Sequence, residues 1–353
     1  MDLTIIGAGG DVGREITRTL IAERLLQNDE TLLLVGNPEG PSRKALHGFA
    51  VDLMDAYAET CPRITLSFDP GEIRGDIVVM TAGATLTPEP NGKDISRDTL
   101  AEKNVPVFEQ YAEALAKHGH GSEIVLCVSN PNELAVAVFA GRLGRKRVIG
   151  TGAFLDSLRF RKEIAADLGI RRQQIHGFMV GEHGRHLVPL WSNVHIYRYS
   201  GEALSAAIRK IRKNHRTPDF PGDVLDITRK LRERVLTGRI QEAYAILGRY
   251  PPDIRAAVKP FITHFSGSKT IMGTARATMD LIRTIMLGSD ALISGQISLE
   301  GEFYGIHSTI GVPFVIGNQG VDRIIQPHLD PEEKTLLCES AERVGEKIRR
   351  FIG

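Results

Sequence analysis

Four short, near-continuous apolar runs, Leu3–Ile6, Thr31–Val35, Ile77–Met80 and Ile124–Val128, restrict the first half of this chain more than any other feature. A strand with one wet face alternates apolar and polar residues. A run that does not alternate belongs in a sheet covered on both faces, which in practice means parallel strands with helices on either side. Helical periodicity lies between the runs. Val12–Leu26 sets Ile16, Leu20 and Ile21 on one face, and Thr99–Lys117 does the same for Val107, Tyr111 and Leu115. The alternation predicts βαβ units, hence an α/β fold with a doubly wound parallel sheet that ends near Gly150.

The first run passes directly into Gly7-Ala8-Gly9-Gly10-Asp11-Val12-Gly13 and then into the first helix. In this setting Gly7 permits a tight turn, Gly9 or Gly10 lets a pyrophosphate approach the backbone, and Gly13 lets the helix pack on its strand. The helix N-terminus supplies amide donors and partial positive charge. The segment therefore predicts a dinucleotide site, with Gly7, Gly9, Gly10, Asp11, Val12 and Gly13 in contact. An NAD-selective site places a carboxylate after the second strand to meet the ribose hydroxyls. Here that place reads Val35-Gly36-Asn37, followed by Ser42, Arg43 and Lys44. Gly36, Asn37 and Arg43 are thus cofactor candidates that favour NADP or dual specificity; the alternatives are a solvated basic turn, or Glu39 holding the ribose.

At 353 residues the chain suits two domains, taken as 1–150 for the dinucleotide and 151–353 for the substrate. Beyond Gly150, long amphipathic stretches at Asp156–Leu168 and Thr274–Leu287 and strand-like segments at His176–Val180 and Val312–Ile316 predict a mixed α/β (α+β) second domain. His215–Phe265 holds Pro218, Pro221, Pro251, Pro252 and Pro260 around basic helical segments and reads as an insertion without a chemical motif. Its charges are expected to form a solvated face, with an oligomer contact as the other reading.

With 44 basic and 43 acidic residues, the formal charge of +1 offers no general attraction to nucleic acid or anionic membranes, while a few local arginines could still hold a small anion. Cys61, Cys127 and Cys338 lack metal-ligand spacing and are too few for a disulfide scaffold. The run beginning at Leu3 leaves no room for a signal peptide, and no apolar stretch reaches the roughly 20 residues of a membrane span. A cytoplasmic protein is expected.

Val180-Gly181-Glu182-His183-Gly184 supplies a histidine between glycines, where a substrate could approach closely. Leu155-Asp156-Ser157-Leu158-Arg159-Phe160 supplies a carboxylate that could orient the imidazole and, three residues on, a guanidinium on nearly the same helix face. A structural histidine and a surface Asp–Arg pair are the plain alternatives.

These segments, with Ser96-Arg97, Asn104, Ser129-Asn130-Pro131, Gly311-Val312-Pro313 and Ile316-Gly317, resemble the lactate and malate dehydrogenase family in order and spacing. The chain looks most like the archaeal-type malate dehydrogenases, some of which carry glycine after the second strand and use NADP. The resemblance implies an NAD- or NADP-dependent oxidoreductase acting on a small anionic 2-oxo or L-2-hydroxy acid, in a homodimer or homotetramer. His183 would exchange the proton, Asp156 would orient it, Arg159 would clamp the substrate carboxylate, and Arg97 on a closing loop would polarise the carbonyl. Asn104 and Asn130 would lie at the cofactor, with Asn130 and Thr270 also in the substrate pocket; Ser266 or Ser268 could fill the place of Thr270.

Two departures bear on the substrate. Malate dehydrogenases of this family carry a further arginine six residues before the loop arginine. Here counting back from Arg97 finds Asn91, counting forward from Ala82-Gly83 finds Leu86, and the loop Ala84–Ser96 is longer than usual. Lys93 could bind a distal carboxylate as a point charge. After Gly184, Arg185-His186 places positive charge beside His183 and is expected to alter its acid–base balance. Two rivals remain: an NAD- and metal-dependent glycosidase on the same fold, which would need a cysteine- and histidine-containing metal site, and a non-catalytic cofactor-binding sensor.

Overall fold

The computed structural model describes residues 1–40, 42–85, 97–184 and 186–353; the side chain of Arg97 is not among them. In chain order the first half contains β1 (Leu3–Ile6), α1 (Asp11–Ala22), β2 (Thr31–Val35), α2 (Arg43–Ala56), β3 (Arg63–Ser67), β4 (Ile77–Met80), α3 (Arg97–His118), β5 (Ile124–Cys127), α4 (Asn132–Leu143) and β6 (Val148–Gly150). The second half adds α5 (Gly152–Leu168), β7 (Ile175–His176), β8 (Met179–Gly181), β9 (Leu187–Pro189), β10 (His195–Ile196) and α6 (Gly201–Arg212). It continues with α7 (Phe220–Leu236), α8 (Ile240–Leu247), α9 (Pro252–Phe265), α10 (Ile271–Leu287), β11 (Ala291–Ser298), β12 (Thr309–Gly317), β13 (Gly320–Ile324) and α11 (Pro331–Phe351).

The parallel strands lie in the order β3-β2-β1-β4-β5-β6, the doubly wound arrangement in which the chain reverses direction of build between β1 and β4. That reversal leaves a crevice at the carboxyl ends of the strands. Side-chain alternation explains the apolar runs: Leu3, Ile5, Leu32, Leu34, Ile77 and Val79 bury one face with α1 and α10, whereas Ile6, Val35, Val78, Met80 and Val125 bury the other with α3 and α4. The sheet does not stop at Gly150. Gln296 on β11 pairs with Gly150 on β6, and the antiparallel β11, β12, β8 and β9 extend the same sheet.

Three expectations are adjusted. Helix α1 ends at Ala22, short of Leu26, because Arg24 turns left-handed at φ 53° and the amides of Arg24 and Leu25 fold back onto Ile21 and Leu20. On α3 the fully buried position belongs to Phe108, with Val107 beside it only partly covered. The segment His176–Val180 is two strands: β7 pairs with β10, and β8 pairs with β12 and β9, so the chain must change partners at Gly177-Phe178.

The segment His215–Phe265 is a helical layer. Phe220, Val224, Ile227 and Leu231 of α7, Leu247 of α8 and Ile254 and Val258 of α9 close over Phe160 and Ile164 of α5 and Trp191. Some of its charged side chains, Asp226 and Arg229 among them, stay exposed, whereas Asp253 and Arg255 on α9 are buried. No helix among the described residues is long and apolar enough to cross a membrane.

Candidate active site

The glycine turn is sterically required. Gly7 sits at φ +82°, and a Cβ there would lie 2.5 Å from the Ala82 amide nitrogen. A Cβ on Gly13 would lie 2.5 Å from the Gly7 carbonyl oxygen. Gly9 is hemmed by Ser42, whose Oγ would stand 2.6 Å from its Cβ, while Gly10 would meet only the Gly7 oxygen at 3.3 Å. Apart from that tight contact, no other described atom crowds Gly10. As the residue capping α1, Gly10 brings no side-chain acceptor, which leaves the first-turn amides for a ligand. This is a cradle that fits a pyrophosphate.

Beyond β2, a Cβ on Gly36 would press on the Phe68 ring at 2.7 Å. The Asn37 Oδ1 accepts from the Glu39 amide at 3.0 Å, and the Arg43 guanidinium lies over Phe68, 5.3 Å from the ring centre. Arg43 and Lys44 are exposed at the start of α2. Asp11, the first residue of α1, is paired with Lys269 Nζ at 2.7 Å.

A cavity of about 260 Å³ opens at the carboxyl ends of β4 and β5; Val12, Thr81, Asn130, Thr270, Pro260 and His264 are among its walls. Asn104 is buried below it. Its amide donates to the carbonyls of Ala84 at 3.0 Å and Asn130 at 2.7 Å and accepts from the Ala84 amide at 2.7 Å. Asn104 thus ties the root of the loop after β4 to the turn after β5. Thr270 precedes α10 and receives the Thr274 amide and hydroxyl on its own carbonyl oxygen.

The histidine and the carboxylate meet. His183 Nδ1 lies 2.6 Å from Asp156 Oδ2, and the other Asp156 oxygen accepts from Arg159 Nη1 at 3.1 Å. Gly152 gives the imidazole a floor, since a Cβ there would fall 2.6 Å from His183 Cγ. Burial pushes the Asp156 carboxyl up, but His183 and Arg159 outweigh it and hold the group below the usual aspartate value. Burial likewise draws Arg159 down against the pull of Asp156, from a value so high that the guanidinium stays charged. A carboxylate that takes the Nδ1 proton fixes the tautomer and assigns proton exchange to Nε2.

Lys93, Arg185 and the side chain of Arg97 lie outside the described residues; the main chain of Arg97 opens α3. Sequence reasoning passed over three buried polar residues. Glu133 Oε1 accepts from the His183 amide at 2.6 Å and from Gln296 Nε2 at 3.2 Å. Gln296 Oε1 and Asn132 Oδ1 in turn accept from the Ala153 and Gly152 amides, the first turn of α5. A signal existed: a carboxylate directly after Ser129-Asn130-Pro131-Asn132, and a glutamine within the apolar run of β11. The contribution of α9 to the cavity, through Pro260 and His264, had no such signal.

Residues 1–150 match the family model of the lactate/malate dehydrogenase NAD-binding domain, and residues 252–351 match that of the lactate/malate dehydrogenase alpha/beta C-terminal domain. The chain is 27% identical to an L-2-hydroxycarboxylate dehydrogenase (NAD(P)(+)) of Methanocaldococcus jannaschii, covering 97% of this chain and 96% of that protein. It is 28% identical to a malate dehydrogenase of Methanothermobacter thermautotrophicus, covering 100% and 97%. Among solved structures, lactate dehydrogenase of Cryptosporidium parvum in complex with lactic acid and β-nicotinamide adenine dinucleotide shares the fold. That match has a TM-score of 0.75 at 22% identity over 100% of this chain and 98% of the other.

Proposed function

Because the chain belongs to the lactate/malate dehydrogenase family, we propose that it interconverts a 2-oxo acid and the corresponding L-2-hydroxy acid, with His183 as the acid–base residue. The observation that carries this reading is the continuous chain His183–Asp156–Arg159, in a protein that also holds a glycine cradle whose first-turn amides suit a dinucleotide. The nicotinamide, when bound, supplies the hydride acceptor or donor.

His183 Nε2 gives a proton to the 2-oxo oxygen in reduction and removes it in oxidation. Asp156 holds the imidazole by Nδ1 and stabilises its charged form. Arg159 keeps donors beyond the one spent on Asp156 and grips the substrate carboxylate, which fixes the face presented to the cofactor. Arg97 stabilises negative charge developing on the oxygen, and Asn130 and Thr270 line the space between cofactor and substrate. Gly7, Gly10 and Gly13 shape the cradle, and Asn104 supports it by holding Asn130.

The absence of a carboxylate after β2 and the exposed Arg43 and Lys44 support use of NADP as well as NAD. The loop Ala84–Ser96 contains no arginine, so Lys93 is the cation in it available to a distal carboxylate. We take the working unit to be a homodimer or homotetramer, from family likeness, and its compartment to be the cytoplasm, from three cysteines without disulfide or metal spacing. The test is a panel of pyruvate, oxaloacetate, branched 2-oxo acids and sulfonated analogues, each with NADH and NADPH. Turnover of at least one acid, abolished in His183→Asn, is expected; a folded protein inert to every combination overturns the reading.

A further inference from the structure

We propose that Glu133 is a positioning residue that fixes His183 from behind, through its main chain, while Asp156 fixes the ring in front. The inference rests on the proposed acid–base role of His183 and extends the machinery to a residue on a different helix.

Contacts among the described residues locate both the ring and the main chain of His183. Asp156 Oδ2 takes Nδ1 at 2.6 Å, Gly152 forms the floor, and the His183 amide donates to Glu133 Oε1 at 2.6 Å. The same Glu133 oxygen accepts from Gln296 Nε2 at 3.2 Å, and Gln296 Oε1 accepts from the Ala153 amide at 3.0 Å. Asn132, next to Glu133, accepts from the Gly152 amide at 3.2 Å. Glu133 therefore joins the His183 main chain to the N-terminus of α5, the helix that carries Asp156 and Arg159. The proton-exchanging ring, the group that orients it and the substrate clamp are referenced to one another through a single carboxylate oxygen.

The arrangement is costly as packing alone. Glu133 is 4% exposed and Glu182, bonded through Lys347 Nζ to α11, is 3% exposed. Burial, followed by the charge of Glu182, pushes the Glu133 carboxyl above the ordinary range. A core built for stability would fill such a place with apolar side chains. What the carboxyl supplies is an acceptor at the amide of the residue that exchanges the proton, where a displacement of about 1 Å can cost on the order of 100-fold in rate.

The test compares Glu133→Gln, which keeps an acceptor oxygen in place, with Glu133→Ala, which removes it, and Glu133→Asp, which withdraws it by one methylene. Steady-state kinetics, cofactor affinity by fluorescence and the proton signal of the His183 Nδ1–H by NMR are measured on each folded protein. Ala and Asp should lower kcat at least about 10-fold with cofactor affinity changed less than about 2-fold, and Gln should stay within about 3-fold of the parent. The Nδ1–H signal should exchange rapidly with water in Ala and Asp and persist in Gln. Parent-like kcat and Nδ1–H signal in Asp or Ala, or a Gln variant as impaired as Ala, overturns the proposal. A parent protein without turnover would sink the dehydrogenase reading instead, and the Nδ1–H signal would still decide whether Glu133 holds the ring.

Discussion

Asp156 carries two duties, since each of its oxygens serves a different cation, His183 or Arg159. An amide in its place keeps the shape but cannot accept on both sides. Asp156→Asn should lower kcat by about 10²–10⁴-fold with cofactor affinity retained, as measured by fluorescence titration. The same carboxyl has an acid signature. Its value in the folded protein lies below the ordinary 3.8, so its contribution to stability is complete above that pH and is lost as pH falls through the lowered value. Urea midpoints should therefore fall more steeply below pH 3.8 in the parent than in Asp156→Asn; equal slopes would contradict the pairing. In the glycine turn, Gly13→Ala would set a Cβ 2.5 Å from the Gly7 oxygen and 2.8 Å from Ala8 Cα, both backbone atoms that cannot swing aside. Dinucleotide affinity should drop at least about 10-fold, given what a displacement of the cradle costs.

Between elements, a buried polar brace joins α5 to α9. Arg255, 4% exposed at its side chain, meets Glu163 Oε2 at 2.8 Å and Asp167 Oδ1 at 2.7 Å, and Lys259 also reaches Glu163. Arg255→Ala takes a buried cation from Glu163, leaving Lys259 and Lys162 to pair with it, and should cost up to about 3 kcal/mol in denaturant unfolding; a loss under about 1 kcal/mol would show the network to be ornamental. How far these elements were legible follows from what each buries. The parallel strands were readable because burial on both faces forces continuous apolar runs, and β1, β2 and β4 fall where those runs lie. The pairing of His183 with Asp156 followed from motif recognition. The partners of α7–α9 were not readable, because an amphipathic helix announces an apolar stripe and not what will cover it. The same limit hid Pro260 and His264 at the cavity and the change of partner between β7 and β8. Glu133 and Gln296 were overlooked although their places after Asn132 and within the apolar run of β11 marked them, because a lone polar residue does not announce the partner it will meet.

For the molecule as a whole, α10 packs on α1 and joins the late part of the chain to the glycine-turn helix. Glu23 pairs there with Arg276 and Arg283, and Asp11 with Lys269, all at half-exposed positions. Such pairs contribute about 0–1 kcal/mol each. The apolar surface shared by Ile16, Leu20, Leu281, Ile282 and Ile285 does the holding. Glu23→Ala should thus change stability by less than about 1 kcal/mol, and added salt should leave the parent's melting temperature nearly unmoved. This packing brings Thr270, just before α10, into the wall of the cavity that Asn130 also lines, so that both halves of the chain contribute to it. Hydrogen should pass directly between cofactor and substrate at that place. Reduction of an accepted 2-oxo acid with cofactor deuterated at the nicotinamide C4 should put deuterium on C2 of an L-2-hydroxy acid in the parent and none in His183→Asn. Solvent hydrogen at C2, or the D-acid as product, would contradict it.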